Sequence, residues 1–248
     1  YQTPVIVKYD SGDPKACLEK ALVVSDWGGF AGRKEESKSR GKLRGIGLCT
    51  YVEACGLAPS RIVQSLGARA GIFESATVRV HVTGDVTVLI GTHNHGQGHE
   101  TTFAQIVSEK LSIPADKIEI VFGDTDRVQF GLGTYGSRSL AVGGTALAKA
   151  TDKIIAKGTK IAAHMLEAGE GDIVFENGSF AVQGTDRSKS FGDVVGAAYG
   201  LVNFPIDVLE PGMEAQAFYD PVNFTYPGGA HIAEVALVPE CGSGDRGA

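Results

Sequence analysis

The sequence predicts an α+β fold of mixed sheets with packed helices, and three observations carry that prediction. Val78, Val80 and Val82, then Val86, Val88 and Ile90, alternate with polar residues on either side of a Gly84-Asp85 turn, which is the period-two mark of a hairpin. Apolar residues recur at helical spacing over about 100–111 and again over about 137–168. Strands and helices do not follow one another in a regular β-α-β rhythm, which argues against a doubly wound parallel sheet.

The first predicted element is a short amphipathic helix over 13–26, where Ala16, Leu18, Ala21, Leu22 and Val23 recur before Trp27-Gly28-Gly29 breaks the pattern. Between Arg33 and Arg44, six basic and two acidic residues read as a solvated helix end running into a turn, with a basic binding arm as the alternative. Leu43 to Val52 follows as a strand. The Thr77–Ile90 hairpin is expected to bury one face and wet the other. A helix from about Glu100 to Leu111 sets Phe103, Ile106, Val107 and Leu111 on one stripe, and Pro114 lies just beyond its end. Ile118 to Phe122 is the next strand. The long helix from about Ser137 to Ala168 keeps Val142, Ala146, Leu147, Ala150, Ile154, Ile161 and Met165 in step and opens on small residues. Asn177-Gly178 turns a second hairpin, and Gly229 to Val238 is one more strand. The tail from Cys241 to Ala248 is expected to be disordered.

Composition narrows the function classes. With 248 residues, 43% of them hydrophobic, the chain is long enough for a packed core. Its 29 acidic and 23 basic residues give a net charge of −6, spread along the chain, which disfavours a surface built for nucleic acid. No run reaches the roughly 18–20 apolar residues of a membrane span, and the N-terminus lacks a basic-then-apolar leader. The four cysteines, Cys17, Cys49, Cys55 and Cys241, form no CxxC pair and are too few to staple such a chain, so a cytoplasmic setting is expected. An opening at Tyr1 suggests an internal fragment or a processed subunit.

Two glycine-rich segments fall at strand-to-helix junctions, where helix N-termini offer unpaired N–H groups. The first, Gly91 to Thr102, holds Gly96, Gln97, Gly98 and His99. Its glycines let a ligand approach the backbone and its amide both donates and accepts, or the segment is a tight turn with a cap. The second, Gly131 to Ser139, gathers Thr134, Tyr135, Gly136, Ser137, Arg138 and Ser139 at a helix start. That set suits an anion such as phosphate, or else forms a flexible loop with a capping serine. Neither segment matches a phosphate-loop or dinucleotide fingerprint. His93, His95 and His99 suggest zinc, although no HExxH and no cysteine pair completes the set. Asp124 and Asp126 are either paired carboxylates for acid–base work or a turn held by side-chain-to-backbone bonds. A serine hydrolase is set aside, because Gly136-Ser137-Arg138-Ser139 lacks the second glycine of a nucleophile elbow.

Taken together, His95-Gly-Gln-Gly-His-Glu-Thr-Thr-Phe-Ala-Gln105, Gly123-Asp-Thr-Asp126 and Phe130-Gly-Leu-Gly-Thr-Tyr-Gly-Ser-Arg-Ser139, with Gly143-Gly144, resemble the molybdopterin-binding large subunit of the xanthine dehydrogenase superfamily, above all its aerobic carbon monoxide dehydrogenase type. Residues 50–56, 67–71 and 218–226 resemble the same branch, so the resemblance reaches nearly to Glu240. It implies a molybdenum ion held by the dithiolene of a pterin, usually the cytosine dinucleotide form in bacterial members, with few or no direct protein ligands to the metal. Gln97 would then hydrogen-bond the molybdenum centre, and Gly96, Gly98 and His99 would line the pterin. Thr134 through Ser139 would contact the cofactor, with Arg138 either offsetting pyrophosphate charge or held in an internal ion pair.

The resemblance further implies an oxidoreductase in which water supplies the oxygen and electrons pass to iron–sulfur and flavin subunits, acting on carbon monoxide, an aldehyde or an aromatic heterocycle. The family's loop above the metal, which carries a copper-binding cysteine in some members, and its Gly-Val-Gly-Glu segment with the catalytic base match nothing here. Copper, substrate and catalytic residues therefore stay unassigned, and the chain is expected to be an internal fragment that is inactive alone. On this reading 1–60 is the end or linker part of a first domain, 61–240 the molybdopterin-binding core and 241–248 a non-matching tail. The alternatives are a stand-alone pterin or nucleotide module without redox turnover, and a zinc hydrolase built on the histidines.

Overall fold

The computed structural model describes residues 2–3, 8–57 and 59–239, so the tail expected at 241–248 lies outside them. In chain order the first half holds α1 (Pro14–Val24), α2 (Phe30–Ser39), β1 (Leu43–Val52), α3 (Ser60–Ser65), β2 (Glu74–Val80), β3 (Val86–Ile90), α4 (His99–Leu111) and β4 (Ile118–Val121). The second half holds α5 (Thr145–Met165), β5 (Ile173–Glu176), β6 (Ser179–Val182), β7 (Ser188–Ser190), α6 (Phe191–Gly200), β8 (Met213–Tyr219) and β9 (Gly228–Leu237). Among the described residues no helix is long and apolar enough to cross a membrane. The chain divides into two compact units, one from the described residues of Tyr1–Cys55 and Thr225–Ala248, the other Gly56–Phe224.

The first unit is a two-stranded antiparallel ribbon, β1 on β9, in register from Leu43↔Leu237 to Val52↔Gly228. Strand β9, expected within the 61–240 core, is here because its backbone pairs with β1. Helix α1 starts where Asp13 accepts from Ala16 N at 2.9 Å. It buries none of its residues fully, however: Leu18, Ala21 and Leu22 of the expected apolar face are half-buried, while Val23 and Val24 are 78% and 79% exposed. The charged run does form a helix end and turn: α2 gives way to Gly41 at φ +71°. Arg33 and Arg44 both reach Glu234 on β9, at 2.8 and 2.6 Å.

The second unit is built on a four-stranded sheet, β4-β3-β2-β8, in which β3 and β4 run parallel through α4 and the other neighbours are antiparallel. Val78, Val80, Val88 and Ile90 point from the sheet into a core shared with Phe103, Val107 and Leu111 of α4 and Leu147, Ile154 and Ile161 of α5, all at most 1% exposed. Each such side chain contributes roughly 1.5–3 kcal/mol by leaving water. The expectation that the hairpin's other face is wet fails, since Ser75, Thr77, Thr87 and Leu89 are at most 9% exposed. The long segment after β4 covers much of that face. Phe130 stacks on Phe73 at 4.3 Å, its carbonyl accepts from Ser75 Oγ at 2.5 Å, and Gln129 accepts from Gln216 of β8 at 2.5 Å.

Helical winding begins at Ser139, two residues later than expected, and becomes the regular helix α5 only at Thr145. Ser137 sits at φ +51°, and residues 139–144 wind as a wide π turn in which Arg138 O accepts from both Val142 N (2.8 Å) and Gly143 N (3.4 Å). Asn177 and Gly178, at φ +49° and +73°, make the tight hairpin that their residue types demand. Beyond it, β7 leads into α6 through a capping box absent from the sequence expectations. Asp193 N donates to Ser190 Oγ at 3.1 Å, and Ser190 N donates to Asp193 Oδ2 at 3.0 Å. Ser190→Ala is expected to lower stability by about 1 kcal/mol in thermal unfolding. The Ser190 hydroxyl and N–H hold the Asp193 carboxyl below the ordinary carboxylate range. The cap's electrostatic share is thus present above the ordinary carboxylate pKa, is lost as pH falls through the lowered one, and should make the Ser190→Ala deficit shrink in acid.

Candidate functional site

The two glycine-rich segments cross in the second unit, immediately after β3. An added Cβ on Gly91 would stand 2.5 Å from Gly131 Cα, and one on Gly131 would overlap the Gly91 backbone. Gly133 N also donates to Gly91 O at 3.1 Å. Only residues without side chains let the two backbones touch in this way. Thr134 adds a second tie: its hydroxyl donates to His93 O at 2.5 Å, accepts from His93 N at 3.0 Å and lies 2.8 Å from Ser139 Oγ. A hydroxyl has one hydrogen, and here His93 O takes it, so Ser139 is the donor in the last bond.

Arg138 supports the crossing from behind. Its side chain is 0% exposed and pairs with the equally buried Glu74 at 2.6 Å. The remaining N–H groups go to backbone carbonyls: Nε to Leu57 (2.8 Å), Nη1 to Gly133 (3.3 Å), and Nη2 to Ile72 (2.9 Å) and Phe73 (3.1 Å). All five donors of the guanidinium are therefore used inside the protein, and none remains for a pyrophosphate. Of the two roles open to Arg138 the structure has the internal ion pair, which corrects its expected place in the cofactor lining. Tyr135 is 43% exposed, with Arg138 Cζ 5.3 Å from its ring centre. Leu57 N donates to Gly136 O (3.2 Å) and Gly56 N to Ser137 O (3.0 Å), so 136–137 are anchored by backbone while Ser137 stays exposed.

The first segment is shaped by its own amides. Gly96 N donates to Asn94 Oδ1 at 3.0 Å, and His95 N donates to Gln97 Oε1. Gln97 is exposed, and its Nε2 has no partner among the described residues. Gly96 and Gly98 take φ +97° and +79°, and the space a Cβ would fill at either is open. Glu100 folds onto its own N–H and accepts from Asn94, and these bonds hold its carboxyl below the ordinary range. His99 opens α4, is 7% exposed, and rests its ring 4.9 Å from Phe103. Burial lowers its pKa, so the imidazole is neutral at pH 7. Its Nδ1 is buried without a partner, as is Oγ1 of Thr92, a residue 1% exposed. Buried polar atoms left in this state cost about 1–3 kcal/mol each, and most are met by water or a ligand. A cavity of about 160 Å³ opens at the crossing, lined by Gly91, Thr92, His93, Gly123, Asp124 and Gly133, among others.

The histidines do not form a metal set. His93 and His95 lie against each other at 4.7 Å while His99 turns onto Phe103, and among the described residues no three His, Cys, Asp or Glu side chains gather at metal-binding spacing. Asp124 is a turn residue, its Oδ1 accepting from Asp126 N (3.0 Å) and Arg127 N (3.2 Å). Glu74 escaped the sequence reading, and Thr92, although inside the first segment, has no role of its own in it. The signal for Glu74 was present: counted back from Ala76, Val78 and Val80, it falls on the core face, where a carboxylate requires a cation.

The family model of the molybdopterin cofactor-binding domain matches residues 20–244. The carbon monoxide dehydrogenase large chain of Hydrogenophaga pseudoflava is 44% identical over 243 residues, a match that covers 96% of this chain and 29% of that protein. The nicotine 6-hydroxylase large subunit of Paenarthrobacter nicotinovorans is 32% identical over 98% of this chain and 30% of its own length. A crystal structure of a Cu,Mo-CO dehydrogenase matches with a TM-score of 0.85 and 40% identity, over 96% of this chain and 30% of that one. The chain thus spans less than a third of the length of these relatives.

Proposed function

The chain belongs to the molybdopterin cofactor-binding domain family, and from that premise we propose that residues 91–99 and 131–139 help hold the pterin-bound molybdenum of an oxidoreductase like carbon monoxide dehydrogenase. One observation carries the reading: Thr92 Oγ1 and His99 Nδ1 are buried without partners, in a segment whose Gly96 and Gly98 leave the backbone open. A ligand rich in polar edges, such as a pterin, would satisfy such atoms where an apolar one would not. When bound, the cofactor would supply the redox chemistry, a two-electron oxidation of a small substrate with oxygen from water.

In this reading each residue has a limited task. Gln97 offers its unpartnered Nε2 as a donor, His99 offers a neutral imidazole, and Gly96 and Gly98 admit the ligand to the backbone. Thr134 and Ser139 lock the second segment to the first, Tyr135, Gly136 and Ser137 present backbone and hydroxyl groups, and Arg138 positions the loop without touching the ligand. We further propose the cytosine dinucleotide form of the pterin, partners that carry iron–sulfur and flavin groups, and a cytoplasmic setting. Support for partners comes from the relatives, a large chain and a large subunit by name.

Gln97→Ala, made in the polypeptide that carries this chain, tests the assignment. The expected result is a stability loss of at most about 1 kcal/mol, since the side chain does no more than hold its own turn. Molybdenum per chain, or turnover, should fall at least about tenfold, equivalent to ~1.4 kcal/mol. Wild-type metal content together with wild-type turnover would make Gln97 a turn residue and overturn the reading at this segment.

A further inference from the structure

Helix α5 is 21 residues long and carries Lys149, Lys153, Lys157 and Lys160 at spacings that form one stripe, against the single acidic residue Asp152. In a chain of net charge −6 this is a local reversal of sign. Beside the stripe lies the segment joining α6 to β8, and its backbone is fixed. Phe204 is 7% exposed, Leu209 packs on the core, Val208 N and Leu209 N both donate to Pro205 O (3.1 and 3.0 Å), and Gly212 N donates to Ala198 O (2.8 Å). Leu201 and Asn203 are held at φ +54° and +53°. Left-handed backbone at a leucine persists only where its surroundings determine it. From this frame Val202, Ile206 and Val208 project into solvent, 74%, 60% and 76% exposed.

A groove of about 420 Å³ runs between stripe and segment, lined by Lys153, Ala156, Lys157, Lys160, Val208 and Leu209, with Glu210 also on its wall. Lys153 is anchored, its Nζ donating to Gln216 O at 2.6 Å, and Lys149 lies over the Tyr219 ring at 5.5 Å. Lys160 is exposed and extends the positive edge. We propose that this groove is the docking surface for a second, different protein chain, one that presents an apolar side chain flanked by carboxylates. An apolar wall edged by ammonium groups matches that partner in both desolvation and sign. A second copy of this chain fits poorly, because a two-fold contact through the patch would set one lysine stripe against the other.

The test uses the native protein, purified with whatever chains accompany it. A carbodiimide, which joins amines directly to carboxylates in contact, is expected to link Lys157 or Lys160 to an aspartate or glutamate of a different polypeptide, identified by mass spectrometry. Lys160→Glu and Val208→Ser both change exposed side chains and should leave the melting temperature unchanged. Each should lower the yield of that link and raise the dissociation constant for that polypeptide at least about tenfold, the Lys160→Glu effect shrinking as salt screens it. Links confined to the polypeptide that carries this chain, its remaining segments included, or to copies of it, no link at all, retention on anionic vesicles without a link, or unchanged affinity in both variants would each overturn the proposal.

Discussion

Arg138→Met is expected to destabilise the protein by about 3–5 kcal/mol, a large fraction of the margin by which a domain of this size is folded. The loss comes less from the ion pair itself than from what the substitution leaves behind. Glu74 would remain 0% exposed with its charge unmatched, and the carbonyls of Leu57, Ile72, Phe73 and Gly133 would lose their donor. Arg138→Lys should recover only part of the stability, because an ammonium can replace the charge but not a planar fork that reaches five acceptors. Replacing both partners, Glu74→Leu with Arg138→Met, should cost less than the two single changes combined, since no buried charge survives. Urea unfolding followed by circular dichroism reads all three. A methionine variant with a wild-type midpoint would show that the pair does not hold the crossing together.

Gly131→Ala is expected to cost about 3 kcal/mol, the upper end of the overpacking range, because the atoms in its way are backbone. The new methyl would overlap Cα, C and O of Gly91, and no change of rotamer relieves such a clash. Gly96→Ala is the matched control. It sits at φ +97° with open space around the added atom, so it should cost only the penalty of left-handed backbone, about 1–2 kcal/mol. In the protein that carries this chain, Gly131→Ala should also lower molybdenum per chain, since it separates the two segments proposed to share the ligand. Equal stability losses for the two variants would mean that the close approach at Gly91 is not what demands glycine at 131.

Much of this arrangement is legible in the sequence, and the illegible parts have identifiable causes. Strand β1 has the bounds that its pattern predicts, α4 follows its apolar stripe to Leu111, and Asn177-Gly178 makes the turn its residue types require. In each case the signal is local, carried by side chains within a few residues of one another. Strand β8 is different: its inward residues are as small as Ala215 and Ala217, and it exists because β2 offers it an edge. The wet face assigned to the hairpin was wrong because what covers it arrives from Gln129 and Phe130, some fifty residues downstream of Ser75. The same limit applied at the site. Both glycine segments stand out in the sequence as candidate loops for a ligand, yet Arg138 turns inward to a carboxylate 64 residues away, and no local pattern announces such a partner.

The ribbon of the first unit also bears on how the chain finds its fold. Arg44 and Glu234, salt-bridged across β1 and β9, are 190 residues apart in sequence, and the whole second unit lies between those strands. Pairing them in an otherwise unfolded chain means closing a very large loop, and an isolated pair of strands returns little in exchange. The second unit changes that arithmetic once it has formed. Ser60 N donates to Asp220 Oδ1 at 3.0 Å, bringing the two ends of that unit side by side. The segments that remain to be joined then behave as a short loop, and the entropic cost of closure falls by roughly 2 kcal/mol at ~0.6 kcal/mol for each halving of length. Connectivity alone therefore sets an order of assembly, in which the interrupted unit waits for the uninterrupted one.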